Sequence, residues 1–172
     1  MHETIVRTTI RTQENSSDKS QQEQADDLVE TFDIFDEWED RYSFLIDMGK
    51  KLPPLADTLK TEDNRVHGCQ SNVWLVADAH PQFQTSAASE AGSKTEDVVE
   101  FAADSDSALV KGLIAVLHRV YSGQPASKVL TFDIAKLLER LDLQQHLSMS
   151  RRNGLQGMIQ RIKTLAANHT AD

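Results

Sequence analysis

The chain of 172 residues contains a single cysteine, Cys69, in the stretch VHGCQSNVWL. Gly68 precedes it, and the polar residues Gln70, Ser71 and Asn72 separate it from an alternating apolar run. Glycine gives the backbone conformational freedom, and reactive side chains are often carried by loops that a rigid scaffold holds in place. The composition therefore predicts that Cys69 lies at the tip of a loop rather than on a core face.

One thiol limits the chemistry that this loop can perform. A zinc or iron–sulfur site normally takes about four cysteine and histidine ligands, so His67 and Cys69 are too few and we expect no metal. A cysteine hydrolase needs a base beside the thiol and an oxyanion hole, and no local signature of that class surrounds Cys69. A lone thiolate can attack an electrophilic sulfur, hold it as a persulfide and pass it to another thiolate. The alternative is that Cys69 is an inert, buried, small hydrophobic residue.

Other side chains are candidates for supporting roles. His67 is two positions before Cys69, so an extended segment would place both on one face, where an imidazolium would stabilise a thiolate or relay a proton. The alternative for His67 is a solvated loop residue. Asp104 and Asp106, in the stretch ADSD, are typical of helix-capping residues, and one of them is a candidate neighbour of the cysteine loop.

The N-terminal part of the chain predicts a tail followed by helix. Residues 1–27 are predicted to be a flexible tail, because their second half is too polar to bury much apolar surface. From Leu28 onwards, apolar residues recur every three or four positions until Pro53 and Pro54, which indicates a helical pattern with one buried face. These residues are Leu28, Phe32, Phe35, Trp38, Tyr42, Leu45 and Met48.

A sheet is predicted directly after the cysteine. Residues 73–77 alternate in side-chain character as a half-buried strand does, and the stretch HPQ after them is typical of a turn. Residues 83–87 have a weaker strand pattern, and residues 98–102 form another predicted strand. Three neighbouring strands with short links favour an antiparallel meander.

The remainder is predicted to be helical. ADSDSALVKGLIAVLHRVYSG indicates a helix that is closed by Gly123 at its C′ position, and Gly112 in its middle indicates close packing against another element. FDIAKLLERLDLQQHL contains one or two short helices, and SMSRRNGLQGMIQRIKTLAANH a last helix capped by Ser150. The order predicts an α+β fold, a small three-stranded antiparallel sheet packed by helices, in a single domain over residues 28–172.

Composition disfavours several classes of partner. The formal net charge of −9 disfavours nucleic acid, whose phosphates drive most of its affinity for proteins, and anionic membrane surfaces. No apolar run approaches the roughly 20 residues of a membrane span. The first residues lack the apolar core of a signal peptide, and one cysteine carries no signature of an oxidising compartment. These features predict a cytoplasmic protein.

Four blocks of the sequence resemble the SufE family of sulfur-acceptor proteins, which includes CsdE: WEDRYSFLIDMGKKLPPL, VHGCQSNVWL, ADSDSALVKGLIAVL and HLSMSRRNGLQGMIQRIK. The resemblance implies the α+β fold of SufE-like and IscU-like proteins. It also implies a protein that takes sulfur from a cysteine desulfurase of the SufS or CsdA type, stimulates that enzyme, and delivers the sulfur to an iron–sulfur scaffold or another acceptor. Cys69 would be the acceptor. Pyridoxal phosphate would belong to the partner, so the chain itself is expected to need no cofactor.

Sulfur transfer would place further demands on the cysteine loop. Arg151, in the stretch SRRNG, resembles the family's block near the acceptor, where a guanidinium would stabilise a thiolate or persulfide anion; the alternative is a solvated first helical turn. We expect the side chain of Cys69 to turn inward, against the strand and the helix after Asp106. We also expect residues 66–71 to swing out on docking, with Gly68 as a hinge. The competing hypothesis is a non-catalytic regulatory interaction module in which Cys69 is inert.

Overall fold

The computed structural model of the chain describes residues 19–81 and 96–170. Most of the predicted tail and the predicted strand over residues 83–87 lie outside the described residues. Within them, the chain forms an α+β fold, which confirms the predicted class. The elements in order are α1 (Gln21–Asp33), α2 (Trp38–Lys50), a 3₁₀ turn (Asp57–Leu59), β1 (Val73–Pro81), β2 (Asp97–Ser105), α3 (Ala108–Tyr121), β3 (Gln124–Pro125), α4 (Ala126–Thr131), α5 (Ile134–Arg140), α6 (Leu143–His146) and α7 (Met149–Asn168).

The described strands form one antiparallel sheet in the order β1-β2-β3. β1 pairs with β2 along its whole length, from Val73 opposite Ser105 to Pro81 opposite Asp97. The predicted turn at HPQ therefore starts too early, because its first two residues still belong to β1. The strand on the other side of β2 is β3, where Pro125 pairs with Val98. A strand of two residues has no periodic pattern, which explains why the sequence did not indicate it.

The N-terminal helix begins earlier than the sequence predicts. Ser20 and Glu23 form a capping box, in which each side chain accepts a hydrogen bond from the backbone amide of the other residue, at 3.3 and 2.7 Å. The buried amide of Gln21 donates to the carbonyl oxygen of Val120 at 2.9 Å. Residues 21–27, which the composition assigned to a flexible tail, are therefore helical, because capping and buried polar contacts offset the lack of apolar surface.

The helical pattern that starts at Leu28 is two helices rather than one. At the end of α1 the amides of Ile34 and Phe35 bond the carbonyls three residues back, at 3.3 and 3.2 Å, which tightens the last turn and ends the helix. Ile34 is 75% exposed in the resulting link, and Trp38 starts α2. The apolar spacing runs across this link without a change of phase, so the pattern alone did not reveal the break.

Two glycines allow α2 and α3 to touch. A Cβ added at Gly112 would lie 2.4 Å from the carbonyl oxygen of Leu45, and one at Gly49 would lie 2.6 Å from the amide nitrogen of Gly112. This confirms the close packing predicted from Gly112. α3 ends at Tyr121, and Gly123 takes the C′ position two residues later, as predicted. The φ of Gly123, +77°, turns the chain so that its amide bonds the carbonyl of Val99 at 2.8 Å and leads into β3.

The core lies between the sheet and the long helices. α3 is buried on nearly every turn, and α7 packs against α4 and against both long strands. Residues 0–1% exposed at the centre include Phe32, Phe101, Leu113, Ile114, Leu117 and Tyr121. Of the helices in the described part of the chain, none is both long and apolar enough to cross a membrane.

Candidate functional site

Cys69 lies, as predicted, at the tip of a loop that leads into β1. Two backbone hydrogen bonds close the base of this loop: the amide of Val66 bonds the carbonyl of Val73, and the amide of Leu75 bonds the carbonyl of Asn64, both at 2.8 Å. These bonds make residues 64–66 a short extension of the sheet next to β1. The loop tip, defined here as residues 67–71, therefore projects from a rigid base.

The surface beneath the cysteine is helix α7. A Cβ added at Gly154 would lie 2.6 Å from the Cβ of Cys69 and 2.9 Å from its Sγ, so only glycine allows this approach. One turn later, a Cβ at Gly157 would lie 3.0 Å from a methyl group of Val66. Cys69 is half-buried and packs against the main core. The wall that the structure gives it is α7, whereas the sequence had suggested the helix after Asp106.

The N-terminal arm of the loop is held by Arg161, near the other end of α7. Its guanidinium donates to the carbonyl oxygens of Arg65 and Asp63, at 3.3 and 2.7 Å. Burial lowers the pKa of Arg161 below its usual value, but an arginine remains charged at neutral pH. Charge-assisted bonds from one guanidinium to two carbonyls fix this arm against the helix.

The C-terminal arm is held by Asp106. Its carboxylate accepts hydrogen bonds from the amide nitrogen of Asn72 at 3.0 Å and from the side-chain amide of Asn72 at 2.8 Å. The hydroxyl of Ser105 donates to the carbonyl oxygen of Asn72 at 2.7 Å. Asp106 therefore anchors the cysteine loop. The sequence had suggested only that Asp104 or Asp106 lies near this loop.

Two capping predictions were wrong. α3 is capped by Ser107, whose hydroxyl accepts from the amide of Val110 at 3.4 Å, and neither Asp104 nor Asp106 caps it. α7 is capped by Ser148 rather than by Ser150. Serine and aspartate both suit the cap position, so a stretch with several of them does not identify the cap by itself.

The hydroxyl of Ser150 contacts the loop instead. It accepts a hydrogen bond from the backbone amide of Gln70 at 2.7 Å, directly after Cys69. The cap at Ser148 accepts from the amide of Arg151 at 3.3 Å, so the helix start is satisfied without Ser150. The sequence offered one signal for this surface, the two glycines of NGLQG. A glycine in a helix destabilises it by roughly 1 kcal/mol relative to alanine, so two of them indicate close packing against another segment.

The remaining predicted site residues are Gly68, His67 and Arg151. Gly68 has a φ of +93°, which glycine adopts readily, and it lies over Asn153 of α7. His67 is on the solvent side, with its Nε2 3.2 Å from the carboxylate of Glu62 and 70% of its side chain exposed. Arg151 is half-buried in the first turn of α7. Among the described residues, no hydrogen bond joins the thiol to His67 or Arg151, and their chemical roles remain predictions.

Asp104 stabilises the end of the strand that leads to Asp106. It is buried at the end of β2, where its carboxylate lies 3.2 Å from the ammonium groups of Lys60 and Lys111 and accepts from the amide of Leu55. Burial opposes the charge of Asp104, but the amide of Ser105 and the two lysines outweigh it and hold the pKa of the carboxyl below its usual value. This ionised carboxylate fixes the end of β2 from which Asp106 extends.

The site offers one thiol on an anchored loop. In the described ranges, 19–81 and 96–170, no group of three or more histidine, cysteine, aspartate or glutamate residues could hold a metal ion. Residues 26–166 match the SufE family, described as an Fe-S metabolism associated domain. The chain belongs to the SufE family. Its SufE domain is thereby associated with iron–sulfur metabolism, and the resemblance seen in the sequence is confirmed.

Relatives of this SufE domain support the assignment. An uncharacterised SufE-like protein of Rhizobium etli is 37% identical over 138 residues, which are 80% of this chain and 86% of that protein. An uncharacterised SufE-like protein of Rhizobium meliloti is 37% identical over 141 residues, 82% of this chain and 93% of the relative. The solution structure of a hypothetical protein from Thermus thermophilus has the same fold, with a TM-score of 0.59 at 20% identity over 85% of this chain and 95% of that one.

Proposed function

We propose that Cys69 accepts sulfur as a persulfide from a cysteine desulfurase and passes it on for iron–sulfur cluster assembly. The observation that carries this proposal is the position of the thiol, at the tip of a loop whose two arms are anchored and whose tip rests on Gly154. A carrier needs a thiol that reaches a partner and is also shielded between partners. A half-buried thiol on a short tip with a rigid base supports both requirements.

The transfer is an exchange between two thiolates. The thiolate of Cys69 attacks the outer sulfur of the donor's persulfide, a new S–S bond forms at Sγ, and the donor's S–S bond breaks as its cysteine leaves as a thiolate. There is no net oxidation or reduction, so the step needs no metal and no redox cofactor in this chain. The second transfer, to an iron–sulfur scaffold or another acceptor, repeats the same exchange.

The donor is proposed to be a pyridoxal-phosphate-dependent desulfurase of the SufS or CsdA type, which this domain would also stimulate. Pyridoxal phosphate would remain on the partner, where it supplies the cleavage of cysteine. Such a thiol survives best in a reducing compartment, and the cytoplasm is part of the proposal. The domain would act as a persulfide carrier and activator rather than as a stand-alone enzyme.

Transfer also requires the loop tip to leave helix α7, since attack must come in line with the donor's S–S bond. The arms are tied to Arg161 and Asp106, so the movement would be confined to residues 67–71. Gly68 would act as the hinge, and its φ of +93° supports this because a glycine there can also adopt an extended conformation at little cost.

The experiment that tests the proposal is intact-mass measurement after incubation with a desulfurase, pyridoxal phosphate and free cysteine. The protein should gain about 32 Da per added sulfur, and Cys69→Ser should gain nothing because the chain has no other thiol. An unchanged mass beside an active desulfurase would refute the acceptor role. If Cys69→Ser then still stimulated the desulfurase fully, the competing hypothesis of a regulatory module with an inert cysteine would stand.

A further inference from the structure

The backbone of the loop tip is held by fewer hydrogen bonds than its two arms. Each arm is held by at least two hydrogen bonds to a charged side chain, Arg161 on one side and Asp106 on the other. In the part of the chain that the structure describes, the backbone of residues 67–71 makes one hydrogen bond to the protein, from the amide of Gln70 to Ser150. The pair of His67 and Glu62 is about 70% exposed on both sides, and exposed pairs of this kind contribute little.

We propose that Ser150 is a positioning residue, a latch that holds the cysteine tip closed on α7 and thereby sets how often Cys69 becomes available. The proposal rests on the proposed function for its biological meaning, because a latch on an inert thiol would have no purpose. Its physical basis is the 2.7 Å bond from the residue next to Cys69 to α7, a helix of 20 residues that packs on the sheet.

Within residues 19–81 and 96–170, the hydroxyl of Ser150 makes one hydrogen bond, the bond to Gln70. The helix start is capped by Ser148, and the first turn therefore stays satisfied when Ser150 is changed. The amide of Gln70 is exposed, so water can replace the hydroxyl as its acceptor. Loss of the Ser150 hydroxyl should consequently weaken closure of the tip and lower the stability of the domain by no more than the strength of this one bond.

The expected effect follows from the usual net strength of one neutral hydrogen bond, which corresponds to about a two- to tenfold change in an equilibrium constant. If the thiol reacts mainly when the tip is open, Ser150→Ala should raise the rate of alkylation of Cys69 by the same factor. Ser150→Thr keeps a hydroxyl at this position and should react at close to the wild-type rate. Ser150→Ala should lower the melting temperature by at most a few degrees, because the same factor limits its effect on the unfolding equilibrium, and Ser150→Thr should leave it close to the wild-type value.

Ser148→Ala is the matched control, because it removes a serine hydroxyl two residues away on the same helix. It should lower the melting temperature by a few degrees through loss of the cap, with a smaller effect on alkylation than Ser150→Ala. The comparison separates a latch from general fraying of the helix start.

The experiment is pseudo-first-order alkylation of the native full chain by iodoacetamide, followed by intact mass, for these three variants and the wild type. Faster alkylation of Ser150→Ala alone, with rescue by threonine, supports the latch. Wild-type kinetics in Ser150→Ala, or an equal acceleration in Ser148→Ala, would overturn it. Alkylation needs no desulfurase, so it tests the latch separately from the proposed function. If Ser150→Ala accelerates alkylation but the wild-type protein never gains sulfur from a desulfurase, the proposed function is refuted and the latch stands.

Discussion

Replacement of Gly154 by alanine tests whether the cysteine tip is the part of the structure that yields. A Cβ at this position would lie 2.6 Å from the Cβ of Cys69, 2.9 Å from its Sγ and 3.4 Å from its Cα. Carbon atoms in contact lie about 3.5–4.0 Å apart, so the two residues have to separate by roughly 1 Å. α7 is a helix of 20 residues packed on the sheet, whereas the backbone of the tip makes one hydrogen bond to the described part of the chain, the bond to Ser150. We therefore expect the tip to move.

The change in stability should be small because two effects oppose each other. Alanine in the helix interior is favoured over glycine by about 1 kcal/mol. Lifting the tip loses the bond between Gln70 and Ser150, worth about 0.5–1.5 kcal/mol, and some contact of the thiol. The free energy of unfolding of Gly154→Ala should therefore stay within about 1 kcal/mol of the wild type, while alkylation of Cys69 accelerates at least as much as in Ser150→Ala.

The assay combines urea unfolding with iodoacetamide alkylation of the native protein. Two results would refute the reasoning about Gly154. Wild-type alkylation at wild-type stability would mean that the added methyl fits without displacing the thiol. A loss of about 3 kcal/mol or more would mean that the clash disrupts the core, since overpacking a rigid interior has a cost of this size.

Two further predictions concern the framework. Gly112→Ala should lower the free energy of unfolding by about 1–3 kcal/mol, because its methyl meets the carbonyl of Leu45 at 2.4 Å between two rigid helices; urea unfolding at wild-type stability would contradict this packing. Burial lowers the pKa of His118 to about 4, so the unfolded chain binds its proton more readily and stability is lost as the pH falls from about 6.5 towards 4. Between pH 7 and pH 5, His118 should account for about 2 kcal/mol of the decrease in the free energy of unfolding. Urea titrations at both pH values should show that His118→Leu removes this part of the decrease. An unaltered pH dependence would show that the imidazole is hydrated.

Part of the candidate site was accessible from the sequence because it depends on local composition. Gly68 and the polar residues after Cys69 indicated a loop, and the structure has one there. Gly112 within an apolar helix indicated a close contact, and α2 supplies it. Such inferences succeed because a glycine in a helix or a polar run before a strand has a local energetic meaning wherever it occurs.

Other features were missed because the same local pattern fits several arrangements. Both Ser148 and Ser150 can cap a helix, and the pattern does not show which one does. The apolar spacing from Leu28 continues through the link at Ile34, and the two-residue β3 has no pattern at all. The polar residues 21–27 looked disordered because their partners, such as Val120, lie far along the chain.

The sequence by itself determined that the chain has one thiol, that a flexible glycine precedes it, and that helices surround a small sheet. Only the tertiary structure decided that Gly154 lies under Cys69, that Ser150 holds the tip, and that Arg161 and Asp106 hold the arms. The reason is physical. These contacts join segments far apart in the chain, and they depend on how α7 lies against the loop, which is set by packing of the whole core rather than by local preference.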